Sequence, residues 1–125
     1  MTPALFALVA VAGGLGAVGR YALDSVARAR FGERMPWGTL AINLSGSLLL
    51  GFVVGLVGAG VLTEGWRWVL GGGFLGGYTT FSAASFETAR LLQDRRFGAG
   101  MLNSVGQLVA ATVLAGSGLW LGGML

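Results

Sequence analysis

Long apolar stretches alternate with short charged segments along this chain, and the pattern predicts four membrane-spanning helices. Each stretch is close to the roughly 20 residues that a helix needs to cross a hydrocarbon core of about 30 Å. The predicted spans are Pro3–Ala27, Trp37–Leu62, Trp66–Leu92 and Phe97–Met124. Because the segments between them are too short to hold a second domain, we predict one all-α transmembrane domain over residues 1–125.

The composition supports a membrane protein and argues against other classes. Hydrophobic residues make up 54% of the chain and charged residues 10%, and the mean hydropathy is +0.76. A soluble domain of this size would need far more charge on its surface. The net charge of +3 comes from the loops that flank the spans, so it does not indicate nucleic-acid binding. Without His, Cys or Lys, and with its carboxylates near span ends, the chain is not expected to be an enzyme.

The segment Gly76–Ser82 interrupts the third span close to its centre. It consists of two glycines followed by Tyr-Thr-Thr-Phe-Ser. A helix broken at membrane depth is tolerated only where protein or a water-filled cavity surrounds the break. Broken membrane helices expose carbonyls and amide dipoles that bind ions. We therefore predict a third helix broken at the midplane, with an ion site there as the hypothesis and an ion-free glycine kink as the alternative.

Three polar side chains in the second span lie on one face of a helix. Thr39, Asn43 and Ser47 are spaced four residues apart. Such a stripe can replace water around an anion, and the Asn43 amide offers two hydrogen-bond donors. The alternative is structural, with Asn43 bonding a neighbouring helix for roughly 0.6–2 kcal/mol. Periodicity alone favours this second interpretation.

The chain contains 24 glycines, which predict closely packed helices because small residues let membrane helices approach. Four GxxxG pairs stand out: Gly51 with Gly55, Gly72 with Gly76, Gly73 with Gly77, and Gly118 with Gly122. Four short helices do not easily enclose a conduction path, whereas many transport proteins place their site between two inverted halves. We therefore expect a dimer, in which the centres of two antiparallel third spans would meet.

Three motifs together resemble the CrcB/Fluc family of fluoride channels. They are residues 13–21 (GGLGAVGRY), 38–47 (GTLAINLSGS) and 76–82 (GGYTTFS), in the family's order and spacing. The resemblance implies a two-pore antiparallel dimer in the bilayer of the cell's inner (plasma) membrane, through which fluoride leaves the cytoplasm passively. It also implies a structural Na⁺ at the dimer centre, held by the backbone carbonyls of Gly76 and Thr79. Oxygen ligands suit a hard cation.

The predicted anion path comprises eight residues: Arg20, Thr39, Asn43, Ser47, Phe81, Ser82, Asn103 and Gln107. The resemblance makes Asn43 a pore-facing donor and Phe81 a pore-lining ring. The positive edge of a phenyl ring can contact fluoride without binding it too tightly for release. A packing role for Phe81 is the alternative. Arg20 would draw anions into a vestibule, or it would snorkel or pair with Asp24.

Three positions depart from the family pattern. Ala84 stands where a second pore phenylalanine is expected, three residues after Phe81. Asn103 and Gln107 stand where the family typically has Tyr and then Ser in the fourth span. Both replacements are polar, so a hydrogen-bonding track can persist with altered geometry.

Charge placement predicts a single orientation in the membrane. Six arginines flank the first and third loops, against Arg67 alone on the other side; the six are Arg28, Arg30, Arg34, Arg90, Arg95 and Arg96. The positive-inside rule then places the first and third loops in the cytoplasm. We hypothesise that the chain is one half of an antiparallel heterodimer, whose oppositely inserted partner supplies the missing aromatic and hydroxyl groups. A homodimer remains the competing interpretation.

Two other function classes fit the sequence less well. A small four-helix, ion-coupled exporter would have a similar length, but it needs a carboxylate deep in a span. The five carboxylates all lie near predicted span ends: Asp24, Glu33, Glu64, Glu87 and Asp94. A purely structural membrane protein would explain the glycines, but it leaves the Gly76–Ser82 segment and the stripe on the second span without a reason.

Overall fold

The computed structural model describes residues 1–125, which form helices and no strands. The helices are α1 (Pro3–Phe31), α2 (Trp37–Gly58), α3 (residues 64–78), α4 (Phe81–Gln93) and α5 (Phe97–Gly123). The predicted all-α class is confirmed. Helices α1, α2 and α5 are each long and apolar enough to cross a membrane. The predicted third span is divided into α3 and α4.

Helix α1 continues four residues beyond its predicted end, Ala27, and ends at Phe31. Arg28 and Asp24 form a 2.9 Å ion pair one turn apart on its last turns. An arginine in the last turn also interacts favourably with the helix dipole. The helix ends at Gly32, whose φ of 76° lies in the left-handed region that glycine adopts without strain. Charge at this end of α1 therefore extends the helix instead of ending it.

Helix α2 ends at Gly58, four residues before the predicted Leu62. The reason is a tight turn at Gly60, which has a φ of 78°. A glycine in this conformation is a common way to stop a helix. The ends of the third and fourth segments differ from the prediction by one or two residues.

Two segments wind as π-helix, which the sequence did not predict. They are Arg67–Leu75 within α3 and Leu102–Gly106 within α5. A π turn bonds residues five apart rather than four, so it changes which side chains face the neighbouring helices. Asn103 lies inside the second π segment and Gln107 directly follows it.

Helices α2 and α5 pack closely through four glycines, which we call the glycine seam: Gly51, Gly55, Gly118 and Gly122. A Cβ added at any of the four would overlap backbone atoms of the opposite helix. Backbone therefore packs directly on backbone, as small residues permit between membrane helices. The predicted close packing at these two GxxxG pairs is confirmed.

The two GxxxG pairs of α3 have different surroundings. Gly73 and Gly77 face α1, and a Cβ at Gly77 would overlap the backbone of Gly13. Gly72 and Gly76 are exposed, and a Cβ on either would meet only atoms of α3, at 3.6 and 3.7 Å. One glycine face of α3 is therefore used within the chain, and the other is left uncovered.

The first and third loops lie at the same end of the chain. The Arg96 side chain donates a hydrogen bond to the backbone carbonyl of Arg34, which joins the two loops. The same end carries the C-terminus of α1, the N-terminus of α2 and the C-terminus of α4. This arrangement brings the six arginines of those two loops and their flanks to one end.

Candidate functional site

The break in the third segment lies at Thr79 and Thr80. Both residues are extended, with φ/ψ of −81°/159° and −150°/117°. Helix α3 ends at Tyr78 and α4 begins at Phe81. The predicted break is confirmed, but it is narrower than predicted because the glycines before it, Gly76 included, remain helical.

Asn43 of α2 holds the break through both backbone groups of Thr80. Its Oδ1 accepts from the Thr80 amide at 2.8 Å, and its Nδ2 donates to the Thr80 carbonyl at 2.9 Å. In a continuous helix, that amide would instead donate to the carbonyl of Gly76. Thr80 is buried, and an unsatisfied backbone group in hydrocarbon costs several kcal/mol. The Asn43 side chain therefore replaces the helical partners that the break removes.

Two further features fit the chain to this break. The Thr80 hydroxyl accepts from the amide of Ala83 at 3.2 Å, which caps the N-terminus of α4. On the side of α2, Gly46 faces the break, and a Cβ there would overlap the Thr79 methyl group. The missing side chain at Gly46 thus lets α2 lie against the extended residues.

The three departures from the family pattern lie in one hydrogen-bonded network. Asn43 Nδ2 donates to Gln107 Oε1 at 2.7 Å. Gln107 Nε2 donates to the carbonyl of Asn103 at 2.7 Å and to its Oδ1 at 3.2 Å. Asn103 Nδ2 donates to Thr88 Oγ1 at 2.9 Å and to the carbonyl of Ala84 at 3.3 Å. We call Asn43, Asn103 and Gln107 the amide cluster; it joins α2, α4 and α5.

A groove of about 710 Å³ runs beside the break between α2, α3, α4 and α5. Seven of the ten predicted site residues line it: Asn43, Ser47, Gly76, Thr79, Phe81, Asn103 and Gln107. The ring of Phe81 is 87% exposed, so nothing in the chain covers it. The groove is therefore an open surface of the single chain, and amide and hydroxyl side chains are among its lining residues.

Thr39, at the far end of the α2 stripe, lies outside the groove. Its hydroxyl donates to Glu87 Oε1 at 3.0 Å, while Glu87 Oε2 is buried without a hydrogen-bond partner. Arg28 lies 3.8 Å from Glu87 and bonds Asp24 at 2.9 Å. Asp24, Arg28 and Glu87 border a charged cavity of about 300 Å³ at the loop end of the chain. Sequence reasoning gave Glu87 no role because it counted the residue among the carboxylates near span ends.

Arg20 and Ser82 are the two remaining predicted residues outside the groove. Arg20 forms no ion pair, and Asp24 pairs with Arg28 instead. The prediction placed Arg20 within about two turns of the end of its span. Because α1 reaches Phe31, Arg20 lies about three turns from that end. Ser82 is exposed, and its hydroxyl lies 3.3 Å from that of Thr80.

Sequence reasoning missed Thr80 and Thr88, both of which hold this site together. A threonine directly before a helix is an N-cap signal, so the capping role of Thr80 could have been found from the sequence. Nothing in the sequence indicates that Thr88 accepts from Asn103. Asn103 lies inside the π segment of α5, which the sequence did not predict.

At the site, the side-chain amide donors have hydrogen-bond partners within the chain, whereas some backbone carbonyl acceptors have none. Both Asn43 and Gln107 direct their amide N–H groups to acceptors within the chain. By contrast, no hydrogen bond within the chain reaches the carbonyl oxygen of Thr79, and neither Thr79 nor Thr80 donates its amide to Gly76. No group of three or more acidic, histidine or cysteine side chains is arranged to hold a metal. The free ligands at the break are therefore carbonyl oxygens.

Residues 7–119 match the family model described as "CrcB-like protein, Camphor Resistance (CrcB)". The chain belongs to the CrcB family. A relative from Leifsonia xyli subsp. xyli, named "Fluoride-specific ion channel FluC 1", is 52% identical over 124 residues, covering 99% of this chain and 90% of that one. A relative from Nitrobacter hamburgensis, "Fluoride-specific ion channel FluC 2", is 42% identical and covers 91% and 93%. A "Fluoride-specific ion channel FluC" from Thermus thermophilus is 41% identical and covers 96% of each chain.

Family membership and fold together make this CrcB chain a multi-pass membrane protein. The match covers all four helical segments, and three of the helices are suited to crossing a bilayer. The names of the relatives describe ion channels, not enzymes.

Proposed function

We propose that this CrcB chain is a subunit of a fluoride-specific channel that lets fluoride leave the cytoplasm passively and so lowers its toxicity. The observation that carries the proposal is the extended pair Thr79–Thr80, whose second residue is hydrogen-bonded by Asn43. The pair lies beside a groove whose lining includes amide and hydroxyl side chains. Backbone of this kind at membrane depth occurs where it is buried in protein or lines a water-filled cavity. The channel names of the relatives support the choice of fluoride.

The dimer is the second part of the proposal. A second subunit in the opposite orientation would cover the groove and the uncovered glycine face of α3. The 87% exposure of Phe81 and the exposure of Gly72 and Gly76 support such a partner, because no other helix of the chain covers these residues. Small residues on an open helix face are typical of helix contacts in membranes.

A structural Na⁺ at the dimer centre is the third part. The carbonyls of Gly76 and Thr79, from each of two subunits, would hold it. The Thr79 carbonyl accepts no hydrogen bond in the chain, and Gly76 does not receive the Thr80 amide, so both fit a hard cation that prefers oxygen. When bound, the ion would supply positive charge against carbonyl dipoles that otherwise repel one another.

The residues of this chain would act on the anion in different ways. The ring of Phe81 faces the groove uncovered, and its positive edge would attract an anion weakly enough for release. The Ser47 hydroxyl also lines the groove. Arg20, which has no ion pair, would raise the local concentration of anions.

The partner is either a second copy or an oppositely inserted relative, and we favour the relative. Six arginines flank the first and third loops, which the Arg96–Arg34 hydrogen bond joins at one end, whereas Arg67 lies at the other. Such a bias sets one orientation. A chain with one fixed orientation needs a different chain to make an antiparallel pair.

Flux from liposomes tests the proposal. Fluoride and chloride efflux would be compared for this chain alone and for this chain mixed with an oppositely oriented CrcB relative. We expect fluoride to leave faster than chloride, at a rate independent of an imposed pH gradient. A rate that follows the pH gradient would favour an ion-coupled exporter. Absence of fluoride efflux from both preparations would overturn the channel proposal.

The same liposomes test the partner and the cation. Efflux from this chain alone, with both orientations trapped by cross-linking, would overturn the heterodimer. For the cation, the protein would be purified with Na⁺ or with N-methylglucamine as the only monovalent cation. We expect a smaller dimer fraction without Na⁺, and an equal fraction would overturn the structural sodium.

A further inference from the structure

The amide cluster uses the donor of Asn43 that an anion would need. Asn43 Nδ2 has two hydrogens: one bonds the Thr80 carbonyl at 2.9 Å and the other bonds Gln107 Oε1 at 2.7 Å. The bond to Thr80 is part of the pairing that holds the break. The bond to Gln107 is not needed for that pairing, so it is the one an anion would have to displace.

Gln107 is oriented so that it presents an acceptor to Asn43. Its own amide nitrogen is directed at Asn103, to the carbonyl at 2.7 Å and to Oδ1 at 3.2 Å. With the nitrogen held there, only the side-chain oxygen points towards Asn43. The residue is 6% exposed, so a carbonyl oxygen occupies a buried position beside the donor.

Asn103 fixes this arrangement in turn. It is 1% exposed, and its amide nitrogen donates to Thr88 Oγ1 at 2.9 Å and to the carbonyl of Ala84 at 3.3 Å. Each of the three amides, of which Asn103 and Gln107 are buried and Asn43 is half-buried, is thus oriented by the next. Such networks keep their members in fixed rotamers.

We propose that Gln107 is an internal competitor of the anion. Its side-chain oxygen occupies the Asn43 N–H that the pairing with Thr80 does not use, and so slows anion passage along this chain's side of the groove. This inference rests on the proposed channel function. An anion reaches Asn43 only when the Asn43–Gln107 hydrogen bond opens, and Asn103 keeps that bond closed. The positions that depart from the family pattern therefore act together as a resistance to flux.

Substitution of Gln107 tests the inference in liposomes that contain this chain with its oppositely oriented relative. Gln107→Ala removes the acceptor and should raise fluoride efflux roughly fivefold, the factor that corresponds to one hydrogen bond of ordinary net strength. Gln107→Glu keeps an acceptor oxygen at the same reach and adds negative charge, so it should not raise efflux. Thr112→Ala is the matched control on α5, because its exposed hydroxyl bonds only the carbonyl of Leu108 in its own helix. It should leave efflux unchanged.

A spectroscopic measurement separates competition from a change in packing. In ¹⁵N-labelled protein, the side-chain amide signals of Asn43 should shift with added fluoride in Gln107→Ala and remain unchanged in wild type. Equal or lower efflux in Gln107→Ala, or a wild-type Asn43 signal that already responds to fluoride, would overturn the inference while the channel function stands. Absence of fluoride efflux from every variant and from wild type would overturn the proposed function itself.

Discussion

The two halves of α2 contact the rest of the chain in opposite ways. Towards its C-terminus, the glycine seam places backbone on backbone without any side chain between α2 and α5. Towards its N-terminus, Asn43 belongs to the amide cluster, whose side chains make directional hydrogen bonds to backbone groups and to one another. One part of α2 is therefore disrupted by an added side-chain atom, and another part of the same helix is disrupted by the loss of a hydrogen-bonding side chain.

The difference follows from the bilayer as solvent. Lipid tails are as apolar as leucine, so helices gain little from burying apolar side chains and associate instead through close packing. The seam provides that packing. An unbonded polar group in lipid is costly, so a break in a helix exists only where other groups supply its hydrogen bonds. The amide cluster provides those bonds, and the seam fixes α2 and α5 so that the amides meet.

The largest expected effect is on the seam. In Gly118→Ala, the new Cβ would overlap the backbone of α2, which cannot move without separating the helices. We expect a loss of about 1–3 kcal/mol in the free energy of unfolding, or more, measured by thermal unfolding in detergent. Gly116→Ala is the control on the same helix, since its Cβ would meet nothing within 4 Å. Equal unfolding temperatures for the two variants would contradict the seam.

The second-largest effect is expected for Asn43 in the amide cluster. Asn43→Ala removes an acceptor and a donor, and so leaves the amide and carbonyl of Thr80 without partners. An unsatisfied group costs about 1–3 kcal/mol when no water reaches it, and because Thr80 lines the open groove, we expect a total below that of Gly118→Ala. We expect a lower unfolding temperature and a loss of fluoride efflux, with Thr112→Ala as the control for both measurements. Normal efflux from Asn43→Ala would remove this residue from the anion path.

Much of the fold could be predicted because it follows from local patterns. Apolar length predicted the spans, and the glycine and hydroxyl run at residues 76–82 located the break to within a few residues. GxxxG spacing predicted close packing at the four seam glycines, but not that the two pairs face each other. The π segments could not be predicted, because no local signal distinguishes Arg67–Leu75 from an ordinary apolar helix. The ends of α1 and α2 depend on Arg28 and on the turn at Gly60, which hydropathy does not detect.

The site was harder to predict from the sequence than the fold, because its contacts join residues that are distant in sequence. The stripe on α2 was predicted from periodicity, but not that Asn43 pairs with Thr80, 37 residues away. Nor could the sequence reveal that Gln107 bonds both Asn43 and Asn103, because Asn103 lies in a π segment that no local pattern predicts. Polar residue types in a membrane span indicate that partners exist. Their identity requires the tertiary structure.

A smaller effect is expected where α2 begins. Thr39→Val keeps the shape of the side chain but removes the only hydrogen-bond donor to Glu87. We expect a loss of about 1–2 kcal/mol in the free energy of unfolding, measured by thermal unfolding. Thr39→Ser retains the hydroxyl and should stay close to wild type. If valine is as stable as wild type and serine is destabilised, the methyl group matters and the hydrogen bond does not.

The smallest effect on the fold should come from Gly76→Ala, and it separates packing within the chain from packing against a partner. The new Cβ would lie 3.7 Å from its nearest neighbour, an atom of α3 itself, and alanine favours a helix by about 1 kcal/mol over glycine. The single chain should therefore unfold at a similar or higher temperature. Gly77→Ala, one residue further on, should destabilise it because its Cβ would overlap Gly13.

The dimer fraction should fall in Gly76→Ala, the variant that does not lower the stability of the single chain. If a partner covers the exposed glycine face of α3, Gly76→Ala should reduce the dimer fraction measured by cross-linking, although the single chain keeps its stability. A lower unfolding temperature in Gly76→Ala would mean that this face is already packed within the chain. An unchanged dimer fraction would mean that the partner binds a different face of the chain. The carbonyls of Gly76 and Thr79 would then not be shared between two subunits, which would contradict the proposed Na⁺ site.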